Sequence, residues 1–405
     1  MAGLFSRLSD KNRKRHFIIV DLGSDSAVYS LLIDEKSGES IVVRKQHHGL
    51  PLREREADSA RVVGGRLHAL IFRYIRAAGR VPDRMVVGLG GKFERSEIVS
   101  ASQIRENPRG RVSAHEITDL IGDFAKGNLI VQKEGTDWHL AGMALIRAAV
   151  DGYPLGVLTP RTSGRTLTVN MLATFLAASQ WRELKKLRSS WGGLNIEFVA
   201  NQYAVASALV RCLGVKDALV LKIGSLTTEV SLLENEKIVF AGKVASGGEE
   251  FTVSIAKNMA ISRSYAERIK RQWGNVVLPA RSGEAAKETI NSAADRWISA
   301  VADLLRKERS FILPASIFVL GGGAHLGAAA ETIGQKLWHT NLTFHERLEV
   351  KKFSAESIAS KVFRSLTPSL SGVEETALAA LALTLETSAG DAGPKLKNFY
   401  LGGET

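Results

Sequence analysis

The chain predicts an α/β fold of two similar lobes, and three strand turns carry that expectation. Each is an apolar run that breaks at small residues. The runs are Phe17 to Val20 before Asp21, Leu22, Gly23, Ser24 and Ser26; Ala218 to Leu221 before Lys222, Gly224, Ser225 and Thr227; and Ile317 to Leu320 before Gly321, Gly322 and Gly323. Short apolar runs bounded by turn residues read as buried strands. Gly and Ser at the break let backbone N–H groups converge on an anion, because no bulky side chain blocks the approach. After each of the first two turns a second apolar strand follows, Ala27 to Ile33 and Val230 to Leu233, so each turn opens a β-hairpin. Neither G-x-x-x-x-G-K-[ST] nor G-x-G-x-x-G occurs, which excludes the strand-to-helix phosphate loops. Two hairpins and a glycine turn imply a nucleotide held between two like lobes.

Composition sets the outer bounds. At 405 residues the chain is long for one core and implies two or more domains. Its 45% hydrophobic and 24% charged residues are ordinary for a globular protein. No apolar stretch reaches the ~18 residues a membrane-spanning helix needs. The start is polar and basic by residue 11, so no secretory leader is expected. The single cysteine, Cys212, excludes an internal disulfide framework. It lies in an apolar helix-like run and reads as a buried, inert thiol. The net charge of +12 is partly concentrated in Arg7, Lys11, Arg13, Lys14 and Arg15. Residues 44–80 hold nine Arg or Lys against three acids. No aromatic interleaving, zinc motif or recognition helix accompanies this charge, so no nucleic-acid partner is expected.

Along the chain, Ser59 to Ala78 has helical apolar spacing, and Arg84 opens a new strand after a Val-Pro-Asp turn. Residues 93–164 interrupt the pattern with polar extended segments, a strand pair near Trp138 to Val150 and a capped helix. That helix begins Ser113-Ala114-His115-Glu116, a capping box. Val169 to Gln180 reads as a strand-helix return, and Asn195 to Leu213 as a strand into a helix. Residues 246–273 supply two helices and residues 285–309 a third. Val373 to Leu385 reads as a buried terminal helix, and residues 386–405 as a disordered tail.

In this order the three turns resemble the phosphate-1, phosphate-2 and adenosine motifs of the actin-like ATPase superfamily. Within it the chain is similar to the FtsA family of bacterial cell-division proteins. Ala245 to Ala256, with Gly247, Gly248 and Thr252, resembles that family's Gly-Gly turn and helix. Ile261 to Gly274 is similar to its segment whose Glu and Lys reach the nucleoside. Gly88 to Gly91, Glu116 to Thr118, Asp151 to Gly156 and Gly164 to Val169 resemble the entry, helix and exit of its inserted subdomain. The likeness covers roughly residues 17–385, and its motifs are specific as a set but weak singly.

The resemblance implies an α/β, two-lobed actin-like ATPase fold, a duplicated ribonuclease-H-like core, with an FtsA-type inserted subdomain in the first lobe. The implied division is a basic leader at 1–16, a first lobe at 17–83 and 165–216, and the insertion at 84–164. The second lobe is 217–385, with its smaller subdomain at about 249–310, and the tail is 386–405. ATP and Mg²⁺ are the implied cofactors. Asp21, costly to bury without a cation or donors, is the implied acid beside the metal, acting through water; a turn-capping Asp is the ordinary alternative. Gly23, Ser24 and Ser26 would cradle phosphates from one side, and Gly224, Ser225 and Thr227 from the other. Gly247 and Gly248 would offer a helix N-terminus. Glu267 and Lys270 would reach ribose and adenine, although their i, i+3 spacing equally fits a surface ion pair. Gly321, Gly322 and Gly323 would lie flat beside the adenine. Gln202 would orient the attacking water, or is simply a polar helix-start residue.

One position departs from the family. The phosphate-2 turn of a hydrolysing member carries Asp where this chain has Lys222. An ammonium can pair with an anion but cannot accept hydrogen bonds from metal-bound water, so at most weak ATPase activity is expected. The PilM family of pilus-assembly proteins tolerates the same kind of loss and is the alternative resemblance. A sugar kinase on this core would need an Asp base facing an acceptor pocket, and no such motif occurs. The FtsA likeness implies a filament-forming scaffold on the inner face of the cell membrane. It would recruit the tubulin-like ring protein FtsZ and other division proteins. Leu4, Phe5 and Leu8, beside the basic cluster, read as a short amphipathic anchor for an anionic membrane surface or as a solubilising tail.

Overall fold

The computed structural model describes residues 15–22, 27–36, 39–49, 56–92, 94–155, 162–191, 194–272, 280–308, 312–326, 333, 342–362, 365–366, 370, 372, 374–386 and 398–399. The leader, with Leu4, Phe5 and Leu8, and the first turn, with Gly23, Ser24 and Ser26, lie outside the described residues.

The chain opens with β1 (Arg15–Leu22), β2 (Ala27–Lys36) and β3 (Glu39–Gly49), followed by α1 (Glu56–Ala78) and β4 (Arg84–Leu89). Next come β5 (Glu94–Ile104), α2 (Ala114–Gly127), β6 (Ile130–Lys133), β7 (Thr136–Val150), β8 (Tyr153–Pro154) and β9 (Thr166–Ala177). Then follow α3 (Ala178–Ser190), β10 (Asn195–Ala200) and α4 (Asn201–Leu213). The second half begins with β11 (Ala218–Ile223), β12 (Thr228–Glu234), β13 (Lys237–Val244), α5 (Gly248–Asn258), α6 (Arg263–Arg271) and α7 (Ala280–Glu308). It continues through β14 (Ile312–Leu313), β15 (Ser316–Leu320), a 3₁₀ turn at Gly322–His325, β16 (Thr343–Phe344) and β17 (Glu349–Lys352). The remaining elements are α8 (Ala355–Val362), β18 (Ser365–Leu366), α9 (Thr376–Glu386) and β19 (Asn398–Phe399).

Two sheets share one plan. The first runs β3, β2, β1, β4, β10, with β18 added beyond β3, and the second runs β13, β12, β11, β15, β17. In each, an antiparallel three-strand meander is extended by two parallel strands. The duplication expected from the two hairpins is therefore present strand for strand. Parallel central strands are covered on both faces and so are apolar throughout. In β1, Ile18, Ile19 and Val20 are all buried.

Strand alternation sorts those residues between two cores. Ile18 and Val20 pack with Leu67, Ile71 and Tyr74 of α1 and Leu184 and Leu187 of α3 on the outer side. Phe17 and Ile19 face inward, toward α4 and α9. In the second sheet, Leu219 and Leu221 face the outer core of α5, α6 and α7. Helix α7 meets them along Ile290, Ala293, Ala294, Trp297, Ile298, Val301 and Leu305, the 3.6-residue stripe of an amphipathic helix. Ala218 and Val220 face inward and join the same cluster as Phe17 and Ile19. The Ala-rich α4 and α9 thus lie between the sheets and join the lobes.

The strand pairs move three sequence boundaries. β4 belongs to the first sheet, so the insertion starts after Leu89 rather than at 84. β9 pairs with β5 and β7 in the inserted sheet and does not return to the first lobe before Ala177. α9, expected in the second lobe, packs over β4: a Cβ on Gly88 would lie 2.3 Å from Leu381 Cδ1. The tail is not without structure either, because Asn398 and Phe399 pair with Ala144 and Met143 of β7. The capping box of α2 forms as expected. Ser113 Oγ accepts from the Glu116 amide at 3.1 Å, and Glu116 Oε2 accepts from the Ser113 amide at 2.8 Å.

Candidate functional site: a row of buried charges across the cleft

The alternation that sends Ala218 and Val220 inward also sends Lys222 inward. Lys222 is the cross-strand partner of Glu229, and Glu229 that of Lys243. Three charged side chains therefore stand in a row across β11, β12 and β13. By the same parity Asp21 follows Phe17 and Ile19 on the inner face of β1. Asp21 and Lys222 are equivalent positions of the two repeats, the last but one residue of each first strand. Asp21 is 3% exposed and Glu229 is 4% exposed.

The row is tied from both sides. Lys222 Nζ lies 3.5 Å from Glu229 Oε1. Glu229 Oε1 also accepts from the Gly91 amide at 3.1 Å. Lys243 Nζ bonds Glu94 Oε2 and donates to the backbone carbonyls of Gly91 and Glu94, each at 2.5 Å. Asn201 Nδ2 donates to Asp21 Oδ1 at 2.7 Å. Gly90 is the pivot: a Cβ there would lie 2.6 Å from Glu229 Oε1, 2.7 Å from Asn201 Nδ2 and 3.3 Å from Lys222 Nζ. Asp21, Gly90, Gly91, Glu94 and Asn201 come from the first lobe and its insertion. Lys222, Glu229 and Lys243 come from the second lobe.

Carboxylates outnumber ammoniums in this row, and the electrostatics follow. Burial pushes the Asp21 carboxyl up, and Lys222 and Asn201 only partly oppose it. Burial likewise raises Glu94 against the pull of Lys243, with Glu229 adding to the rise. Burial draws the Lys222 ammonium down, but Glu229, Asp21 and Glu94 outweigh it and hold its pKa above the ordinary lysine value. Lys222 is thus a fixed cation. Two buried acceptors, Asn201 Oδ1 and Glu229 Oε2, have no hydrogen-bond partner among the described residues. An acceptor calls for a donor such as water or an ammonium, or for a cation, not for a phosphate oxygen.

The phosphate-2 turn closes on itself and on a helix. The Gly224 amide donates to Thr227 O at 2.9 Å, and Thr227 is buried. The amides of Gly248 and Glu249 donate to Gly224 O and Ser225 O at 2.9 and 2.8 Å, and that of Glu250 to Gly247 O at 3.1 Å. The first amides of α5, expected to be free for phosphate, are therefore committed to the turn. Gly247 is where the two meet: a Cβ would lie 2.6 Å from Gly224 O.

Glu267 and Lys270 join α6 to α5. Lys270 Nζ lies 2.6 Å from Glu267 Oε2 and donates to Gly248 O and Thr252 Oγ1 at 3.0 and 2.9 Å. Thr252 Oγ1 donates to Glu267 Oε2 at 2.6 Å. Burial pulls Glu267 up, but the donors Lys270, Thr252 and Arg271 win and lower it to about 2. Burial lowers Lys270 against the opposing pull of Glu267. The pair is more than a surface ion pair, because it clamps the Gly247–Gly248 turn. Gln202 is also committed: its Nε2 donates to Val230 O and Gly242 O, both at 3.1 Å, linking α4 to the second sheet.

At the third motif, Gly321 and Gly323 are held against β11, with added Cβ atoms 2.6 Å from Ile223 O and 2.2 Å from Ile223 Cγ2. Gly322 has nothing within 4 Å of its Cβ position among the described residues. The sequence reading missed Asn201, Glu94 and Lys243. Nothing local in the sequence marks Lys243 or Glu94; the register of β12 with β13 brings Lys243 opposite Glu229.

No protein-family model matches the chain, and no curated protein matches it. Solved structures do. One is the PilM–PilN type IV pilus biogenesis complex, 16% identical with a TM-score of 0.58 over 91% of this chain and 97% of that one. Another is MreB5 of Spiroplasma citri bound to ADP, 13% identical with a TM-score of 0.47 over 92% and 97%. A third is the MamK double helical filament, 11% identical with a TM-score of 0.46 over 92% and 98%. The chain has an actin-like ATPase fold. The match to that complex extends over 97% of the matched chain.

The residues present fit the two implied cofactors unequally. Among the described residues nothing crowds the Cβ position of Gly322, beside which the resemblance would lay the nucleotide ring. Where the resemblance would put Mg²⁺, beside Asp21 and Glu229, stands the Lys222 ammonium, 3.5 Å from Glu229 Oε1 and within the field of both carboxylates. Among the described residues no group of three or more His, Cys, Asp or Glu is arranged to hold a metal ion.

Proposed function

We propose that this chain is a nucleotide-binding scaffold of the actin-like kind, working by holding partners rather than by turnover. The observation that supports it most is Lys222. A hydrolysing site needs acceptors to position water and metal, whereas here an ammonium tied to Glu229 stands at that point, and the Gln202 side chain is tethered to the second sheet through its Nε2. Nucleotide would enter between the lobes, with its ring beside Gly322 and its phosphates toward the turns at Gly23 to Ser26 and Gly224 to Thr227. Glu267 and Lys270 would act by holding the Gly247–Gly248 turn.

In finer detail, the motif resemblance supports a division scaffold that polymerises, attaches peripherally to the membrane and recruits a tubulin-like ring protein. A pilus-assembly platform is the second reading, favoured by Lys222 and by the likeness to the PilM–PilN complex over 91% of this chain. Among the described residues no helix is long and apolar enough to cross a membrane.

Calorimetry with ATP tests the shared core of both readings. Wild type is expected to bind ATP and release phosphate far more slowly than active actin-like ATPases. Gly322→Val is expected to lose binding while its thermal midpoint stays at the wild-type value. Unchanged ATP affinity in that variant would remove the pocket from this cleft. Co-sedimentation with polymers of the tubulin-like ring protein separates the finer readings, since only the division scaffold is expected to pellet with them.

A further inference from the structure

The fold implies a divalent cation between its two phosphate turns, and the residues at that point do not fit one. Lys222 replaces the second-repeat counterpart of Asp21, and its ammonium lies 3.5 Å from Glu229 Oε1 and 3.3 Å from where a Gly90 Cβ would stand. Charges alternate along the cleft: Asp21, Lys222, Glu229, Lys243, Glu94. Each ammonium pairs with a carboxylate, and the row crosses from one lobe to the other. A divalent ion entering it would face two ammoniums at close range in a site with little water to screen them. Lys222 supplies its charge to both Asp21 and Glu229, so these two carboxylates do not stand without a cation.

We propose that the Lys222 ammonium is the built-in cation of this cleft, so that lobe closure and nucleotide binding proceed without a divalent metal. The nucleotide half of this inference rests on the proposed function; the closure half does not. The chemistry is charge replacement: Lys222 supplies one fixed positive charge to Asp21 and Glu229, and faces any phosphate brought to the turns. Lys243 does the same for Glu94 and anchors the insertion through Gly91 O and Glu94 O. Because the cation is covalently part of the chain, chelators cannot withdraw it.

Differential scanning calorimetry of the full chain, without nucleotide, in Mg²⁺ and in EDTA tests closure. The thermal midpoint is expected to be the same in both, and a midpoint that rises with Mg²⁺ overturns the proposal. Isothermal titration with ATP in the same two buffers tests binding. Equal affinity supports the proposal, and a gain of about tenfold or more with Mg²⁺ overturns it. Absence of ATP binding in both buffers removes the nucleotide reading and with it that half of the proposal, while the calorimetric result still decides closure. Lys222→Asp restores an acid at this point. Its midpoint is expected to fall in EDTA and to recover with Mg²⁺, and a variant indifferent to Mg²⁺ counts against position 222 as the cation position. If that variant does not fold, the two wild-type comparisons remain decisive.

Discussion

Replacing Lys243 by methionine is expected to destabilise the folded chain by about 3–5 kcal/mol, the loss typical of stripping a buried charge of its partner. Methionine keeps most of the volume and removes the ammonium. Glu94, whose side chain is 2% exposed and whose carboxyl is already pushed up by burial, is left beside Glu229 with Ser96 as its side-chain donor among the described residues. The carbonyls of Gly91 and Glu94 also lose their donor, and with it the tie between the insertion and β13. Removing both charges is a different matter, because two neutral side chains leave no uncompensated charge. The double variant Glu94→Gln with Lys243→Met is therefore expected to recover most of the loss. Urea unfolding followed by tryptophan fluorescence measures both. A Lys243→Met midpoint equal to wild type would mean that the row does not hold the lobes.

The second large effect is steric. Gly321→Val is expected to cost about 2–6 kcal/mol, adding about 1–3 for an L-residue forced to positive φ to about 1–3 for overpacking. Gly321 sits at φ +84°, and a Cβ there meets the backbone of Ile223 at 2.6 Å. Backbone cannot turn aside as the end of a side chain can. Gly247→Val meets Gly224 O and Ser225 O at 2.6 and 2.7 Å, so it too acts on the fold before it acts on any ligand. Gly322→Val has open space and is expected to melt with wild type. Thermal midpoints of the three variants check this, and a Gly321→Val protein melting at the wild-type temperature would show that the turn relaxes.

Much of this was legible beforehand, for physical reasons. The two hairpins and the strand before Gly321 are continuous apolar runs, and such runs are buried in any fold that contains them. Their likeness foretold two sheets of one plan. The destination of an apolar run is harder to read. Thr166 to Ala177 is buried enough for either lobe, and only its pairing with β5 and β7 assigns it to the insertion. Thr376 to Glu386 is apolar all round, which says that it is covered but not by what, and the answer lies in its contact with Gly88. Within the site, Lys222 stood out because it stands where the resembled motif carries an acid, and Asp21 because a charge follows four apolar residues. Lys243 and Glu94 look like ordinary surface charges in sequence and meet only because register and the insertion bring them together. The α5 amides were misjudged for a related reason. A helix N-terminus does expose donors, but here Gly224 O and Ser225 O reach them first.

The most direct measurement is a crystal structure grown with ATP and Mn²⁺, with anomalous data collected at the manganese edge. With Lys222 as the cation of the cleft, nucleotide density is expected between the lobes beside Gly322. Lys222 Nζ is expected in contact with Glu229, with no manganese peak along the row from Asp21 to Glu94. A manganese peak between Asp21 and Glu229, with Lys222 swung away, would contradict it.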